Sequence, residues 1–124
     1  MIDISRVIAG PTIAKMAALL GATVIRKSCS SQPDMGSLLV DENLEKRDVT
    51  LDLKSVEGKK TLRDLLAVAD VFLDVYRPVA MESLGFGPEY VQGLAKKRGK
   101  GIVYVRENCC GGKGPSQTAA AGSK

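Results

Sequence analysis

Residues 7–27 read VIAGPTIAKMAALLGATVIRK, an apolar stretch that is broken first at Gly10-Pro11 and again at Gly21. Gly10-Pro11 is typical of a helix start, because a proline at the first helical position lacks an N–H that would be unpaired there anyway. Gly21 is typical of a helix end, where the left-handed backbone conformation is favoured. The stretch therefore predicts strand, helix and strand, with parallel strands and a right-handed crossover.

Apolar residues at helical spacing predict the face that this helix buries. They are Ile13, Met16, Ala17 and Leu20. The segments IDISRVIA (2–9) and ATVIRK (22–27) are apolar enough to form the flanking strands. The small and polar segment SCSSQPDMGS (28–37) that follows predicts a surface loop.

The rest of the chain alternates between strand and helix patterns. The predicted strands are 48–54 at a sheet edge, 70–75 and 101–107. The predicted helices start at Ser55, near Met81 and at Gly87-Pro88. The first of them should end near Val68 and bury Leu62, Leu65, Leu66 and Ala69. This alternation predicts an α/β fold, with a Rossmann-like open and mostly parallel sheet and helices on both faces.

The composition narrows the classes of function. A net charge of +4 suits an anionic ligand, and the absence of histidine removes Ser-His and Cys-His catalytic pairs. Three tyrosines and two phenylalanines are scattered along the chain, so we expect no stacking platform for bases and no nucleic-acid partner. Cys29, Cys109 and Cys110 lack metal-type spacing, which favours reduced thiols and no metal.

Length and hydropathy limit the architecture and the location. A chain of 124 residues is enough for one domain with a core. No apolar run approaches the roughly 20 residues of a membrane-spanning helix, so no membrane partner is expected. Met1 leads directly into IDIS without a signal-type segment. We therefore expect a cytoplasmic protein, with the mitochondrial or peroxisomal matrix as the alternative.

Several sequence segments resemble those of the class III CoA-transferases, the CaiB/BaiF family. RVIAGPTIAKMAALLGATVIR (6–26) is similar to the family's R-V-x-A-G-P opening and its L-G-A-x-V-I-K continuation. KRDVTLDLKSVEG (46–58) and ADVFLDVYRP (69–78) are similar to its K-R-S-x-x-L-D-L-K-x-x-E-G and A-D-V-x-x-x-N-F-R-P segments. LGFGPEYVQGL (84–94) and IVYVRENCCGGKGP (102–115) follow in the family's order, so the resemblance extends to Pro115.

The resemblance implies an enzyme that transfers CoA between carboxylic acids through an aspartyl-CoA thioester. It also implies a Rossmann-like large domain, a small domain and two interlocked chains. In the family the reactive aspartate lies downstream of the loop matched by CCGGKGP (109–115), so no catalytic residue is assigned here. The implied protein is truncated and inactive alone, with an N-terminal Rossmann-like domain over 1–115 and a flexible tail over 116–124.

The resemblance also implies a surface for CoA or acyl-CoA, whose phosphates require backbone N–H groups and basic side chains. The implied residues are Arg6, Val7, Ile8, Ala9, Lys27, Leu51, Lys54, Tyr76 and Arg77. Each has an ordinary structural alternative. The turn at 6–9 would simply precede a helix, Lys54 would be an exposed lysine at a strand end, and Leu51 would belong to the core.

Some positions depart from the family pattern. Val75 replaces the usual asparagine, and Ser83 stands where relatives often carry a basic residue. RKSC (26–29) replaces the usual K-x-E, which leaves Arg26 or Lys27 to meet a phosphate. Cys109 and Cys110 match the loop that faces the thioester, where a nucleophilic cysteine is the less favoured alternative.

Three classes of function follow from these patterns. The chain is a truncated CoA-transferase homologue; a non-catalytic CoA- or nucleotide-binding module or a regulatory partner of a full-length relative; or the product of a degenerate reading frame. Truncation also predicts uncovered apolar surface, and therefore homo-oligomers or association with a full-length relative.

Overall fold

A computed structural model of the chain describes residues 1–29, 40–77 and 79–108. Its elements, in chain order, are β1 (Ile2–Asp3), α1 (Ala9–Leu19), β2 (Ile25–Ser28), β3 (Arg47–Thr50), α2 (Val56–Val68), β4 (Val71–Asp74), α3 (Ala80–Leu84), α4 (Pro88–Arg98) and β5 (Val103–Arg106). The predicted tail over 116–124, the Cys109-Cys110 loop and most of the predicted loop over 28–37 lie outside the described residues.

The described strands form one five-stranded sheet in the order β3-β2-β1-β4-β5, and every neighbouring pair is parallel. The predicted α/β fold and the edge position of β3 are therefore confirmed. The chain leaves β1 toward β2 through α1 and later returns to β4, on the other side of β1, through α2. The strand order thus reverses between β1 and β4, and open α/β sheets usually bind ligands at the carboxyl ends of the strands at such a point.

Helices pack on both faces of the sheet. On one face Leu62 of α2 packs in a large apolar cluster with Phe72 of β4. On the other face Ala14 and Ala18 of α1 pack with Leu73, the next residue of the same strand. Because neighbouring residues of a strand point to opposite faces, this one strand contributes to both cores.

The caps of α2 and α4 agree with the sequence. The Ser55 hydroxyl oxygen accepts the Gly58 N–H at 2.9 Å, and α2 ends at Val68, as predicted. Gly87 precedes α4, and Pro88 occupies its first position. The predicted inward residues of α2 are also confirmed: Leu62, Leu66 and Ala69 are buried, and Leu65 is partly buried beside them.

The start of α1 differs from the prediction. The helix begins at Ala9 with Ile8 as its N-cap, so Pro11 is the third helical residue. The missing N–H of proline is still harmless there, because the first four N–H groups of a helix have no partner within the helix. Gly10 lies inside the first turn. Its position requires glycine, because a Cβ would stand 2.4 Å from Cβ of Ser5 and 2.5 Å from Cγ1 of Val75.

The predicted buried face of α1 was wrong at three of its four positions. Ile13, Met16 and Leu20 are 41%, 54% and 84% exposed, and Ala17 is partly buried. The helix instead buries small side chains, at Gly10, Pro11, Ala14 and Ala18. Small residues let the helix approach the sheet closely, and the larger apolar side chains of α1 remain exposed.

The strands are shorter than predicted. The strand expected over 2–9 ends at Asp3, although the Ile4 N–H still donates to the Leu73 carbonyl at 3.2 Å. The strand expected over 48–54 ends at Thr50. The backbone turns away from the sheet at these points, so the residues that follow lie at its carboxyl edge.

A matched pair of glycine substitutions tests the packing of α1. Gly10→Ala should lower the free energy of unfolding by about 1–3 kcal/mol, because its methyl group overpacks against Ser5 and Val75. Gly93 lies in α4, where no atom stands within 4 Å of an added Cβ, so Gly93→Ala should raise the free energy of unfolding by about 0.5–1 kcal/mol. Urea denaturation of both variants measures the difference, and equal stabilities would refute the close approach.

Candidate functional site

Three aspartates at or just after strand ends each accept a backbone N–H from two residues further along the chain. The bonds run from Ser5 N to Asp3 Oδ1 at 2.8 Å, from Lys54 N to Asp52 Oδ1 at 2.9 Å, and from Tyr76 N to Asp74 Oδ1 at 2.8 Å. Such side-chain turns fix how the backbone leaves a strand. The loops after β1, β3 and β4 are therefore held in defined positions at the carboxyl edge of the sheet.

A cleft of about 340 Å³ lies at this edge. Three residues that the sequence implicated line it: Lys27 from β2, Lys54 from the loop after β3, and Tyr76 from the loop after β4. The other lining residues are Cys29, Asp52, Leu53 and Leu84. The fold thus brings together side chains from segments that are far apart in the chain.

Lys27 has an unusual environment for a lysine. The residue is 6% exposed, and its Nζ donates to the Tyr76 hydroxyl at 3.4 Å. Within the described ranges this phenol is its one hydrogen-bond or ion-pair partner. A buried ammonium normally has a carboxylate partner. No carboxylate of the described residues forms an ion pair with Lys27, so these residues leave its positive charge at the cleft wall uncompensated.

Arg26, the alternative phosphate contact, points away from this cleft. Its guanidinium pairs with the Asp48 carboxylate of β3 at 2.7 Å. The two residues are register partners on neighbouring strands, on the face of the sheet opposite to Lys27. Of the two candidates, Lys27 is the one that lines the cleft.

The other implicated residues lie outside the cleft lining. Arg6, Val7 and Ile8 are exposed in the turn between β1 and α1, Ala9 is exposed at the first position of α1, and Arg77 is exposed beside Tyr76. Leu51 is buried in the large apolar cluster, as its structural alternative proposed. The turn at 6–9 and Arg77 therefore share the carboxyl edge of the sheet with the cleft, whereas the Leu51 side chain packs in the core beneath this edge.

Two of the departures from the family pattern, Val75 and Ser83, have structural roles. Val75 packs with the cluster under α1, close to Gly10. The Ser83 hydroxyl donates to the carbonyls of Val79 and Ala80 within α3. Neither side chain lines the cleft with Lys27 and Tyr76.

Sequence patterns missed a polar network at the ends of β4 and β5. The Tyr104 hydroxyl donates to Oδ2 of Asp74 at 2.6 Å, and Nε of Arg106 lies 3.6 Å from the same oxygen. Burial and the hydrogen bond to Asp74 raise the pKa of Tyr104, so its hydroxyl remains a donor. The hydrogen bond from Arg106 lowers the pKa of Glu82 in α3. The available signal was Asp74 itself, an acidic residue that ends the apolar strand VFLD.

A buried ion pair behind β1 also escaped the sequence patterns. Lys46 Nζ lies 3.1 Å from Oδ2 of Asp3 and donates to the Pro11 carbonyl at 2.9 Å. The Ser5 hydroxyl hydrogen-bonds the other carboxylate oxygen. Both charged side chains are almost fully buried. The pair therefore ties the end of β1 to the first turn of α1 and holds the turn at 6–9 in place.

Neither a membrane-spanning helix nor a metal-binding cluster occurs among the described residues. No helix there has the length and apolar character to cross a bilayer. No three histidine, cysteine, aspartate or glutamate side chains in the same part of the chain converge on a common point that could hold a metal ion.

Comparison with known proteins gives a consistent set of relatives. The model of CoA-transferase family III matches residues 1–122. "Acetyl-coenzyme A transferase nodX" of Hypoxylon pulicicidum is 44% identical over 115 residues, which is 93% of this chain and 19% of that protein. A "Formyl-CoA:oxalate CoA-transferase" of Rhodopseudomonas palustris is 30% identical over 109 residues, 78% of this chain and 26% of that protein.

Solved structures agree with the fold. The crystal structure of Rv3272 from Mycobacterium tuberculosis superposes with a TM-score of 0.81 at 29% identity, covering 94% of this chain and 33% of that chain. A CaiB/BaiF family protein from Brucella suis superposes with a TM-score of 0.84 at 22% identity, covering 96% and 34%. The chain thus spans between about a fifth and a third of the length of these relatives. Because the family model matches nearly all of its residues, this protein belongs to CoA-transferase family III.

Proposed function

We propose that this chain forms the CoA-binding surface of a class III CoA-transferase, with CoA or acyl-CoA as its ligand. The observation that carries the proposal is Lys27, a buried ammonium that lines the cleft with Tyr76 as its one partner among the described residues. A phosphate group would compensate this charge. Lys54, in the loop after β3, would supply a second cation to the same anion or its neighbour.

The size and lining of the cleft suit part of a CoA molecule. Its volume of about 340 Å³ is near the lower end of ligand pockets, which favours a phosphate-bearing portion over the whole cofactor. The Tyr76 ring offers a flat surface to adenine or pantetheine. The exposed turn at 6–9 and Arg77 would extend the binding surface along the same sheet edge, and Leu51 would support the Lys54 loop from the core.

We assign no catalytic residue to these 124 residues. Family resemblance implies an aspartate that attacks the thioester and carries CoA as an aspartyl-CoA intermediate, and no aspartate of this chain matches that position. A non-catalytic CoA- or nucleotide-binding module, including a regulatory partner of a longer relative, would use the same cleft. Binding and turnover therefore have to be measured separately.

Substitution of Lys27 tests the binding proposal. Lys27→Gln should raise the Kd for CoA about tenfold, equivalent to about 1.4 kcal/mol, because a charge-assisted contact with phosphate is lost. Lys97→Gln is the matched control: it removes the same charge from the exposed last turn of α4, at the opposite edge of the sheet. Isothermal titration calorimetry with CoA measures both, and equal losses of affinity would show non-specific charge attraction instead.

A second test separates binding from turnover. The purified chain should be retained on CoA-agarose and released by free CoA. It should transfer no CoA from acetyl-CoA to carboxylate acceptors, because none of its aspartates matches the position of the family's attacking aspartate. Transfer activity that is lost in Cys109→Ala would contradict this expectation. A folded chain that is not retained on CoA-agarose would favour the product of a degenerate reading frame.

A further inference from the structure

The carboxylate of Asp74 connects the cleft to the neighbouring strand. Asp74 is 1% exposed and ends β4, next to the point where the strand order reverses. Its Oδ1 accepts the Tyr76 N–H at 2.8 Å, and its Oδ2 accepts the Tyr104 hydroxyl at 2.6 Å. One oxygen therefore holds the loop that carries Tyr76, while the other is held by β5.

Arg106 fixes the β5 side of this network. Its Nη2 lies 3.1 Å from the Tyr104 hydroxyl oxygen and 2.7 Å from Oε1 of Glu82 in α3. The guanidinium carbon lies 5.5 Å from the Tyr104 ring centroid, and that ring packs edge-on against Phe72 at 5.5 Å. Tyr104 is thus held by packing as well as by hydrogen bonds, which gives Asp74 a rigid partner.

The network lies outside the cleft but contacts two parts of its wall. Neither Asp74, Tyr104 nor Arg106 is a lining residue. Asp74 holds Tyr76 directly, and Arg106 holds α3 through Glu82, which lies two residues before the lining residue Leu84. A network of this kind influences a ligand through the residues that it positions, without touching the ligand itself.

The segment between these two walls shows why such anchoring is needed. Val79 has a φ of 71°, in the left-handed region that is unfavourable for a β-branched residue. That conformation persists only where the surrounding structure fixes both ends of the segment. Asp74 fixes the end at Tyr76, and the Arg106–Glu82 pair fixes the end at α3.

We infer that Asp74 is a positioning residue for CoA binding, which holds Tyr76 beside Lys27 and is itself held by Tyr104 and Arg106. The inference rests on the CoA-binding function proposed above. It adds that affinity for CoA depends on β5, a strand that contributes no lining residue to the cleft. The coupling between β5 and the cleft runs through the Asp74 carboxylate and the Tyr76 N–H.

A double-mutant cycle tests this inference. Asp74→Ala should raise the Kd for CoA about tenfold in the wild-type background, because the Tyr76 loop loses its anchor. In a Tyr76→Ala background the same substitution should change the Kd less than about twofold, since the residue that Asp74 positions is absent. A tenfold effect in both backgrounds would show a purely structural role and would overturn the inference.

Tyr104→Phe is a milder second variant, which keeps the test valid if Asp74→Ala fails to fold. It removes one hydrogen bond to Asp74 while retaining the ring that packs on Phe72. We expect a Kd increase of about two- to fivefold, again absent in the Tyr76→Ala background. No increase in the wild-type background would count against a role for β5.

Hydrogen exchange without CoA separates this inference from the proposed function. The Tyr76 amide should exchange at least about tenfold faster in Asp74→Ala than in the wild-type chain. If the wild-type chain binds no CoA, the proposed function fails whatever the exchange rate. If the wild-type chain binds CoA but the exchange rate of Tyr76 is unchanged by Asp74→Ala, the positioning role alone fails.

Discussion

Two buried carboxylates at the ends of the central strands hold the carboxyl edge of the sheet together. Asp3 ends β1 and Asp74 ends β4, and a buried charge of this kind is stable only where hydrogen bonds and opposite charges compensate it. The compensating groups are the N–H groups of the following turns, with Lys46 on Asp3 and Tyr104 on Asp74. Because Lys46 and Tyr104 come from distant segments, the two aspartates tie both loops at the strand-order reversal to the rest of the fold.

Alternation along β2 decides which cation reaches the cleft. Arg26 and Lys27 are neighbours of the same charge, but they point to opposite faces of the sheet. Arg26 meets Asp48 on the edge strand, whereas Lys27 meets Tyr76 beside the cleft. A shift of one residue in register would exchange them and would place the cation that lacks a carboxylate partner on the face of α1. The pairing of β2 with β1 and β3 therefore decides that Lys27, and not Arg26, faces the proposed CoA surface.

The α1 helix shows the limit of periodicity as a guide to packing. Its sequence is apolar around most of its circumference, so more than one face is suitable for burial. The sheet accepts the face with Ala14 and Ala18, because small side chains let the backbone of α1 approach the ends of β1 and β4. The larger side chains, such as Met16, then remain exposed. An exposed apolar surface of this kind is a common site of association between proteins.

The sequence by itself determined the α/β class, the family resemblance and the bounds of the helix capped by Ser55. The class and the helix bounds depend on local signals, which are caps, turn residues and alternation, and the resemblance depends on short motifs in a fixed order. Only the tertiary structure decided that Leu51 belongs to the core, and that Tyr104 of the last strand holds Asp74. These outcomes depend on contacts between segments that are distant in the chain, and the spacing of residues within one segment carries no information about such contacts.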